Sequence, residues 1–176
     1  MMAKNSTIGI PSGKFVAVES RRLPIAQLNY IILKHLAGDI KAYVLYVAVG
    51  RPHHYMTHLL SIHGISQRGI TYVDINKGVN LRFPIPIQSK EVSIGGFLRR
   101  DYITLQDYEY VIIDNVEQLF HLWTPEKLMD FFSQLKQTAG EYNVGIVLPL
   151  RNGKSAECER IKDLCDEIIN MDEVIE

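Results

Sequence analysis

The chain has 176 residues, of which 47% are hydrophobic and 22% charged, and its 19 basic and 20 acidic side chains give a net charge of −1. The hydrophobic content excludes an intrinsically disordered protein, and near-neutrality argues against a protein that is basic overall and coats nucleic acid. No stretch approaches the ~18 apolar residues of a membrane helix, and the start of the chain lacks the apolar core of a secretory signal. Two cysteines, Cys158 and Cys165, fit a reducing compartment. We therefore expect a cytoplasmic protein that does not enter the membrane.

The apolar pattern predicts short strands that alternate with helices. The predicted strands cover residues 15–19, 43–49, 70–75, 110–114, 144–148 and 167–171. The predicted helices cover residues 24–36, 52–63, 125–140 and 155–166, and Gly38, Gly64 and Gly140 stand where the first three are expected to end. Residues 76–108 include two prolines in 83–87, which indicate an edge segment or a loop rather than a central strand.

This alternation predicts βαβ units and an α/β fold of three αβα layers around a mainly parallel sheet. No internal repeat, low-complexity tract or linker interrupts the pattern. We expect residues 1–176 to form a single domain.

The near-neutral total hides an uneven distribution of charge. Residues 155–176 hold eight acidic and two basic side chains, a net charge of −6, which leaves +5 for the other 154 residues. This pattern fits an acidic, solvated end of the chain, and it also fits a body that presents a basic surface to a polyanion.

Ligands of open parallel sheets bind beyond the carboxyl ends of the strands. The residues at those predicted ends are Glu19, Ser20, Arg21, Arg22, Gly50, Arg51, Asp74, Asp114, Asn115 and Arg151. The apolar strand 110–114, which ends in Asp114, is similar to the strand whose carboxylate helps to hold Mg²⁺ in P-loop ATPases. A strand that ends in Asp is also common in other α/β folds, so this signal alone is weak.

The order of elements from Ile8 to Met171 resembles the RecA/KaiC-like branch of P-loop ATPases. The lead-in Gly9-Ile10-Pro11-Ser12-Gly13 is similar to a turn that precedes the first strand in that family. The chain also resembles small archaeal RecA-like proteins that lack the phosphate-binding loop and carry Gly-Arg-Pro after the second strand. The resemblance implies a RecA-like sheet in which the strand 144–148 lies between the strands 15–19 and 110–114.

The sequence departs from this family at the positions that carry its chemistry. A phosphate-binding loop needs glycines, a lysine and a Ser/Thr hydroxyl. Residues 19–27 contain no glycine, Ala26 stands at the place of the lysine, and Gln27 stands at that of the hydroxyl. Gly50 and Arg51 stand where the family usually carries a water-activating glutamate. We therefore expect a pseudo-ATPase with no catalytic residue and no cofactor.

Histidines at the start of the second helix are a candidate metal site. His54 and His58 are four residues apart, but a third ligand and a nearby carboxylate are missing from the pattern. Exposed side chains are the expectation for these two and for His53, and we predict no metal site.

The rim arginines Arg21, Arg22, Arg51 and Arg151 have two interpretations. They form an anion pocket, because guanidinium groups bind phosphate, or they pair with Glu19, Asp74 and Asp114. The cluster around Trp123 is expected to belong to the core, or to a protomer interface if it is exposed.

The leading functional hypothesis is a non-catalytic domain that acts in regulation or assembly by binding an anion, a protein partner or a second copy of itself. Two alternatives stay open. One is a DNA-binding recombinase accessory protein that uses Arg99, Arg100 and the basic rim. The other is a nucleotide or anion sensor that uses the rim arginines.

Overall fold

Six parallel strands form one sheet in the computed structural model, which describes residues 8–49, 51–75, 105–151 and 155–174. The strands are β1 (Phe15–Ser20), β2 (Val44–Val49), β3 (Ile70–Ile75), β4 (Tyr110–Ile113), β5 (Gly145–Arg151) and β6 (Glu167–Asn170). Their order is β3-β2-β4-β5-β1-β6, and all neighbours are parallel. The predicted position of the fifth strand, between the first and the fourth, is confirmed.

Helices follow most of the strands. They are α1 (Ile25–Leu33), which continues into a π-helical segment (Lys34–Asp39), α2 (His54–Ile62), α3 (Val116–Leu119), α4 (Pro125–Tyr142), α5 (Ala156–Leu164) and α6 (Met171–Val174), with a 3₁₀ turn at Leu105–Asp107. The predicted start of α4 is confirmed, because Pro125 opens it and the Thr124 side chain accepts a hydrogen bond from the backbone N–H of Lys127.

Two apolar clusters lie on opposite faces of the sheet, since successive side chains of a strand point to opposite sides. On one face, Phe132 and Leu135 of α4 pack with Leu45 and Val111. On the other, α1 and α2 pack against residues such as Tyr46. Helices therefore cover both faces, as the three-layer prediction requires. Every residue of β2 and β4 is buried, as expected for strands in the interior of such a sheet.

Two predicted helix ends are wrong. The helix α4 passes Gly140 and ends at Tyr142, because Asn143 takes the left-handed conformation (φ 55°) that stops it. The first helix passes Gly38 through its π-helical segment, and the left-handed residue that follows is Lys41 (φ 57°). Asn143 and Lys41 thus adopt the left-handed conformation that glycine most often adopts after a helix.

Smaller differences concern the other helices. The helix α2 begins at His54 rather than residue 52, and Gly64 follows its end, as predicted, at φ 67°. The helix α5 ends at Leu164, two residues early, and the Asp166 carboxylate accepts a hydrogen bond from the Phe15 backbone N–H at 2.9 Å. Trp123 is half-buried against Phe131, which confirms the core interpretation of its cluster.

The predictions for residues 76–104 lie outside the described residues. Among the helices that the structure describes, none combines the length and the apolar character that crossing a bilayer requires.

Candidate ligand site at the carboxyl edge of the sheet

The loop after β1 occupies the place of a phosphate-binding loop, and its backbone donors are already bonded. The buried Ser20 hydroxyl oxygen accepts hydrogen bonds from the backbone N–H groups of Arg22 (3.1 Å) and Leu23 (2.9 Å). The Arg21 backbone N–H donates to Asp172 Oδ2 at 2.9 Å, and the Ser20 hydroxyl donates to Asp172 Oδ1 at 2.5 Å. A carboxylate of the chain itself therefore lies where N–H groups would otherwise receive an anion.

Asp172 reaches this loop because β6 pairs with β1 and α6 starts directly after β6. Asn170 positions the turn, since its side-chain oxygen accepts a hydrogen bond from the Asp172 backbone N–H at 3.1 Å. The Ser20 hydroxyl, followed by the Arg21 backbone N–H, holds the pKa of Asp172 below its ordinary value. The carboxylate is thus ionised at neutral pH and satisfies these donors as an anion.

The first turn of α1 supplies no cation to this loop. Gln27 is exposed and Ala26 is half-buried, and the backbone N–H groups of Gln27 and Leu28 donate to the Pro24 carbonyl. Ser20 and Arg21 thus lie at the end of β1 and in the loop after it, and Ala26 and Gln27 lie in the first turn of α1.

Asp114, at the end of β4, is buried and holds two neighbouring strands together. Its Oδ1 accepts the Val49 backbone N–H at 2.7 Å, and its Oδ2 accepts the Tyr46 hydroxyl at 3.1 Å. The Asn29 amide of α1 donates to the Asp114 carbonyl oxygen at 2.8 Å. Burial raises the pKa of Asp114 from 3.8 to about 7, although the hydrogen bonds from Val49 and Tyr46 and the charge of Arg51 oppose the shift.

A cavity of about 190 Å³ lies beside Asp114, between α1 and the start of α2. Ala26, Asn29, Arg51 and Tyr55 also line it. Its lining combines the Asp114 carboxylate and the Asn29 amide with the cation of Arg51, so both hydrogen-bonding groups and charge are present there.

His53 differs from its prediction, since its side chain is buried rather than exposed. Its Nδ1 lies 3.0 Å from Asp74 Oδ2, its backbone N–H donates to Asp74 Oδ1 at 2.9 Å, and its ring stacks on Tyr72. His54 and His58 are exposed, as expected. In the part of the chain that the structure describes, no three His, Cys, Asp or Glu side chains are grouped to hold a metal ion.

Two of the rim carboxylates contact side chains that are not among the rim arginines. Glu19 contacts Lys162 at 2.7 Å, and Asp74 contacts His53. The charge of Arg51 lowers the pKa of Asp114, which matches one of the expected arginine–carboxylate pairs.

The remaining predicted site residues are more scattered. Arg21, Arg22, Arg51 and Arg151 are all exposed, and Arg151 stands opposite Ser20 in the β1–β5 register. Asn115 caps α3, because its side-chain oxygen accepts the Gln118 backbone N–H. Gly50, Arg99 and Arg100 lie outside the described residues.

The fold is similar to that of a KaiC-like protein from the hyperthermophilic archaeon Pyrococcus horikoshii. The two structures match with a TM-score of 0.67 over 92% of this chain and 72% of that chain, at 14% sequence identity. No protein-family model matches the chain, and no curated protein sequence matches it. The likeness at this identity establishes the fold class alone, which is a KaiC/RecA-like α/β sheet.

Proposed function

We propose that the chain is a non-catalytic KaiC-like domain, a pseudo-ATPase that acts in regulation or assembly by binding. The observation that carries the proposal is the Asp172 carboxylate, which is bonded to the Ser20 hydroxyl and the Arg21 backbone N–H in the loop after β1. A nucleotide phosphate at this loop has to displace a negative group that is covalently part of the protein.

The residues of α1 support the same conclusion. Phosphoryl transfer depends on cations and donors that stabilise the charge on the transferred group. Ala26 and Gln27 supply neither a lysine ammonium nor a Mg²⁺-binding hydroxyl, and Arg51 follows β2 where a carboxylate has to activate water. Three separate parts of the machinery are missing, so no single substitution restores them.

Asp114 supports the proposal in a different way. A Mg²⁺-binding carboxylate has to be ionised and open to the metal's water shell, whereas burial raises the pKa of Asp114 to about 7 and both of its oxygens accept protein hydrogen bonds. In this proposal its role is structural, because it joins the ends of β2 and β4.

The test is ATP turnover by the purified chain in the presence of Mg²⁺. We expect phosphate release at the rate of the buffer alone. Turnover that disappears in Asp114→Asn, with the circular dichroism spectrum unchanged, contradicts the proposal, because a contaminating ATPase is insensitive to that substitution. Lys127→Gln, which removes an exposed charge on α4, is the matched control for preparation effects.

We propose that the chain binds another protein molecule through α2, because this helix exposes large apolar side chains. Tyr55 and Ile62 are 47% and 63% exposed, and seven residues place them on one face of the helix. Exposed apolar side chains that share a face are typical of protein interfaces. Sedimentation of the wild type and of Ile62→Asp over a range of concentrations tests self-association, and capture of a cellular protein that Ile62→Asp abolishes tests a different partner. If neither is seen, this part of the proposal is wrong.

A further inference from the structure

A second and larger cavity lies at the opposite edge of the sheet. Its volume is about 600 Å³, compared with about 190 Å³ for the cavity beside Asp114. It is formed by the π-helical segment after α1, the turn into β2, and the turn between α2 and β3, where the strands begin at Val44 and Ile70. Its size falls within the range of small-molecule sites, roughly 300–1,000 Å³.

Three cationic side chains surround this cavity. Lys34, Lys41 and Arg68 line it and are exposed. Among the residues that the structure describes, none of these three takes part in an ion pair. The cavity also has one carboxylate, that of Asp39, which lies 3.6 Å from His35 Nδ1. Cations without protein partners around one cavity favour an anionic ligand.

Lys41 occupies an unfavourable backbone conformation at this cavity. Its φ is 57°, in the left-handed region that a glycine adopts more easily than a lysine. The turn around it is fixed, because the Ile40 backbone N–H donates to the His35 carbonyl and that of Ala42 donates to the Leu36 carbonyl. A lysine at a position that suits glycine points to a use for its side chain.

Tyr43 adds an aromatic surface beside these cations. The residue is 61% exposed and is one of those that line the cavity, and its backbone is fixed to Glu109 by hydrogen bonds in both directions. An exposed aromatic ring on a fixed backbone is suited to stacking on a planar base.

We propose that this cavity binds a nucleotide, with its phosphates among Lys34, Lys41 and Arg68 and its base against Tyr43. A nucleic-acid strand is bound by cations that follow its backbone. These three cations line a single cavity instead, which favours a single nucleotide over a nucleic-acid strand. The site is at the amino edge of the sheet and does not depend on the proposed loss of ATP hydrolysis at the carboxyl edge.

Titration calorimetry of the full chain with ADP, pyrophosphate and adenosine tests the proposal. We expect ADP to bind most tightly, and we expect Tyr43→Ala to weaken ADP binding while leaving pyrophosphate binding unchanged. Arg68→Gln removes a charge-assisted contact, so it weakens both phosphate ligands roughly tenfold or more.

Lys41→Gly is the decisive variant, because it removes the cation and keeps the left-handed backbone. We expect it to weaken ADP binding roughly tenfold or more while the melting temperature stays the same or rises. Lys127→Gln, which removes an exposed charge on α4, is the matched control and leaves binding unchanged.

Three results overturn the proposal. The first is no binding of ADP or pyrophosphate at millimolar concentration, and the second is ADP binding that survives both Lys41→Gly and Arg68→Gln. The third is tighter binding of a single-stranded oligonucleotide than of ADP, which assigns the surface to nucleic acid. If ADP binding survives both Lys41→Gly and Arg68→Gln but is abolished by Arg51→Gln, the nucleotide is bound at the carboxyl edge. ATP turnover is measured separately, so the failure of one proposal leaves the other intact.

Discussion

Replacing Asp114 with asparagine tests whether this buried carboxylate is a structural link between β2 and β4. Asparagine has nearly the same shape, its side-chain oxygen accepts the Val49 N–H, and its amide donates to the Tyr46 hydroxyl oxygen. The substitution therefore keeps the bond from Val49, reverses the direction of the bond with Tyr46 and removes the charge of Asp114. Because the reversed bond does not change with pH, the pH-dependent part of the difference between the two proteins reports the cost of burying that charge.

The size of the effect follows from the pKa of Asp114, which burial raises from 3.8 to about 7. The folded protein holds this proton between those pH values and the unfolded protein does not, so wild-type stability falls as pH rises through the interval. Each unit of pKa difference is worth about 1.4 kcal/mol, so about three units give on the order of 4 kcal/mol by pH 8. Asp114→Asn lacks this loss, and its stability relative to wild type rises by this amount from pH 4 to pH 8.

Urea denaturation at several pH values, followed by the fluorescence of the single tryptophan, measures the difference between the two proteins. The difference in unfolding free energy between variant and wild type at each pH cancels the contributions of the other titrating groups, which both proteins share. Asp166→Asn is the control, because Lys136 and then the Phe15 backbone N–H hold the pKa of Asp166 below its usual value. The contribution of Asp166 is lost only as pH falls through that lowered pKa, so its difference curve is flat from pH 5 to pH 8. A flat curve for Asp114→Asn over the same range refutes the reasoning.

Three further predictions concern the loop after β1, a helix end and the core. Asp172→Ala frees the loop donors, so inorganic phosphate raises the melting temperature of this variant by more than it raises that of wild type and of Glu173→Ala. Equal shifts in all three proteins contradict the role of Asp172. At Asn143, alanine is less stable than glycine by about 1 kcal/mol in urea denaturation, because the residue has φ 55°, and equal stabilities speak against that conformation. Phe132→Ala lowers the free energy of unfolding by about 3–5 kcal/mol, because the side chain is fully buried, whereas the exposed Tyr142→Ala changes it by about 0.5 kcal/mol or less; similar losses at both sites exclude this core arrangement.

The strands are predictable from the sequence because each is a local apolar run bounded by turn residues. The place of the strand 144–148 between 15–19 and 110–114 follows from the family resemblance and not from the apolar pattern. The helix ends are less predictable, because glycine is only one of the residues that can stop a helix. Asn143 and Lys41 took the left-handed conformation in its place. At Asn143 the neighbouring Gly13 leaves the necessary space, because a Cβ on Gly13 falls 2.2 Å from the Asn143 side-chain oxygen. Gly13 and Asn143 are far apart in the sequence, so no local sequence pattern predicts this contact.

The positions of the candidate site were predictable, but their bonding was not. The order of predicted strands and helices along the chain is enough to place Ser20, Ala26 and Asp114 at the carboxyl edge of the sheet. Asp172 was missed, because it is 152 residues from Ser20 and meets it only through the pairing of β6 with β1. The burial of His53 is not predictable from its local sequence, because the Asp74 carboxylate that it contacts comes from the next strand.

The proposed function rests on two carboxylates at the carboxyl edge, which bond to groups that a nucleotide and its metal would otherwise engage. In a P-loop ATPase, phosphate oxygens accept from the loop N–H groups, and the acidic residue helps to hold Mg²⁺. In this chain the Asp172 carboxylate accepts hydrogen bonds from the Ser20 hydroxyl and the Arg21 N–H of that loop. The Asp114 carboxylate accepts hydrogen bonds from the Tyr46 hydroxyl and the Val49 N–H. Under this proposal, we expect a nucleotide with Mg²⁺ to gain little at this edge, because it exchanges existing hydrogen bonds for new ones. At the amino edge, Lys34, Lys41 and Arg68 have no such internal partner among the described residues, so an anion that binds there adds interactions without breaking any ion pair.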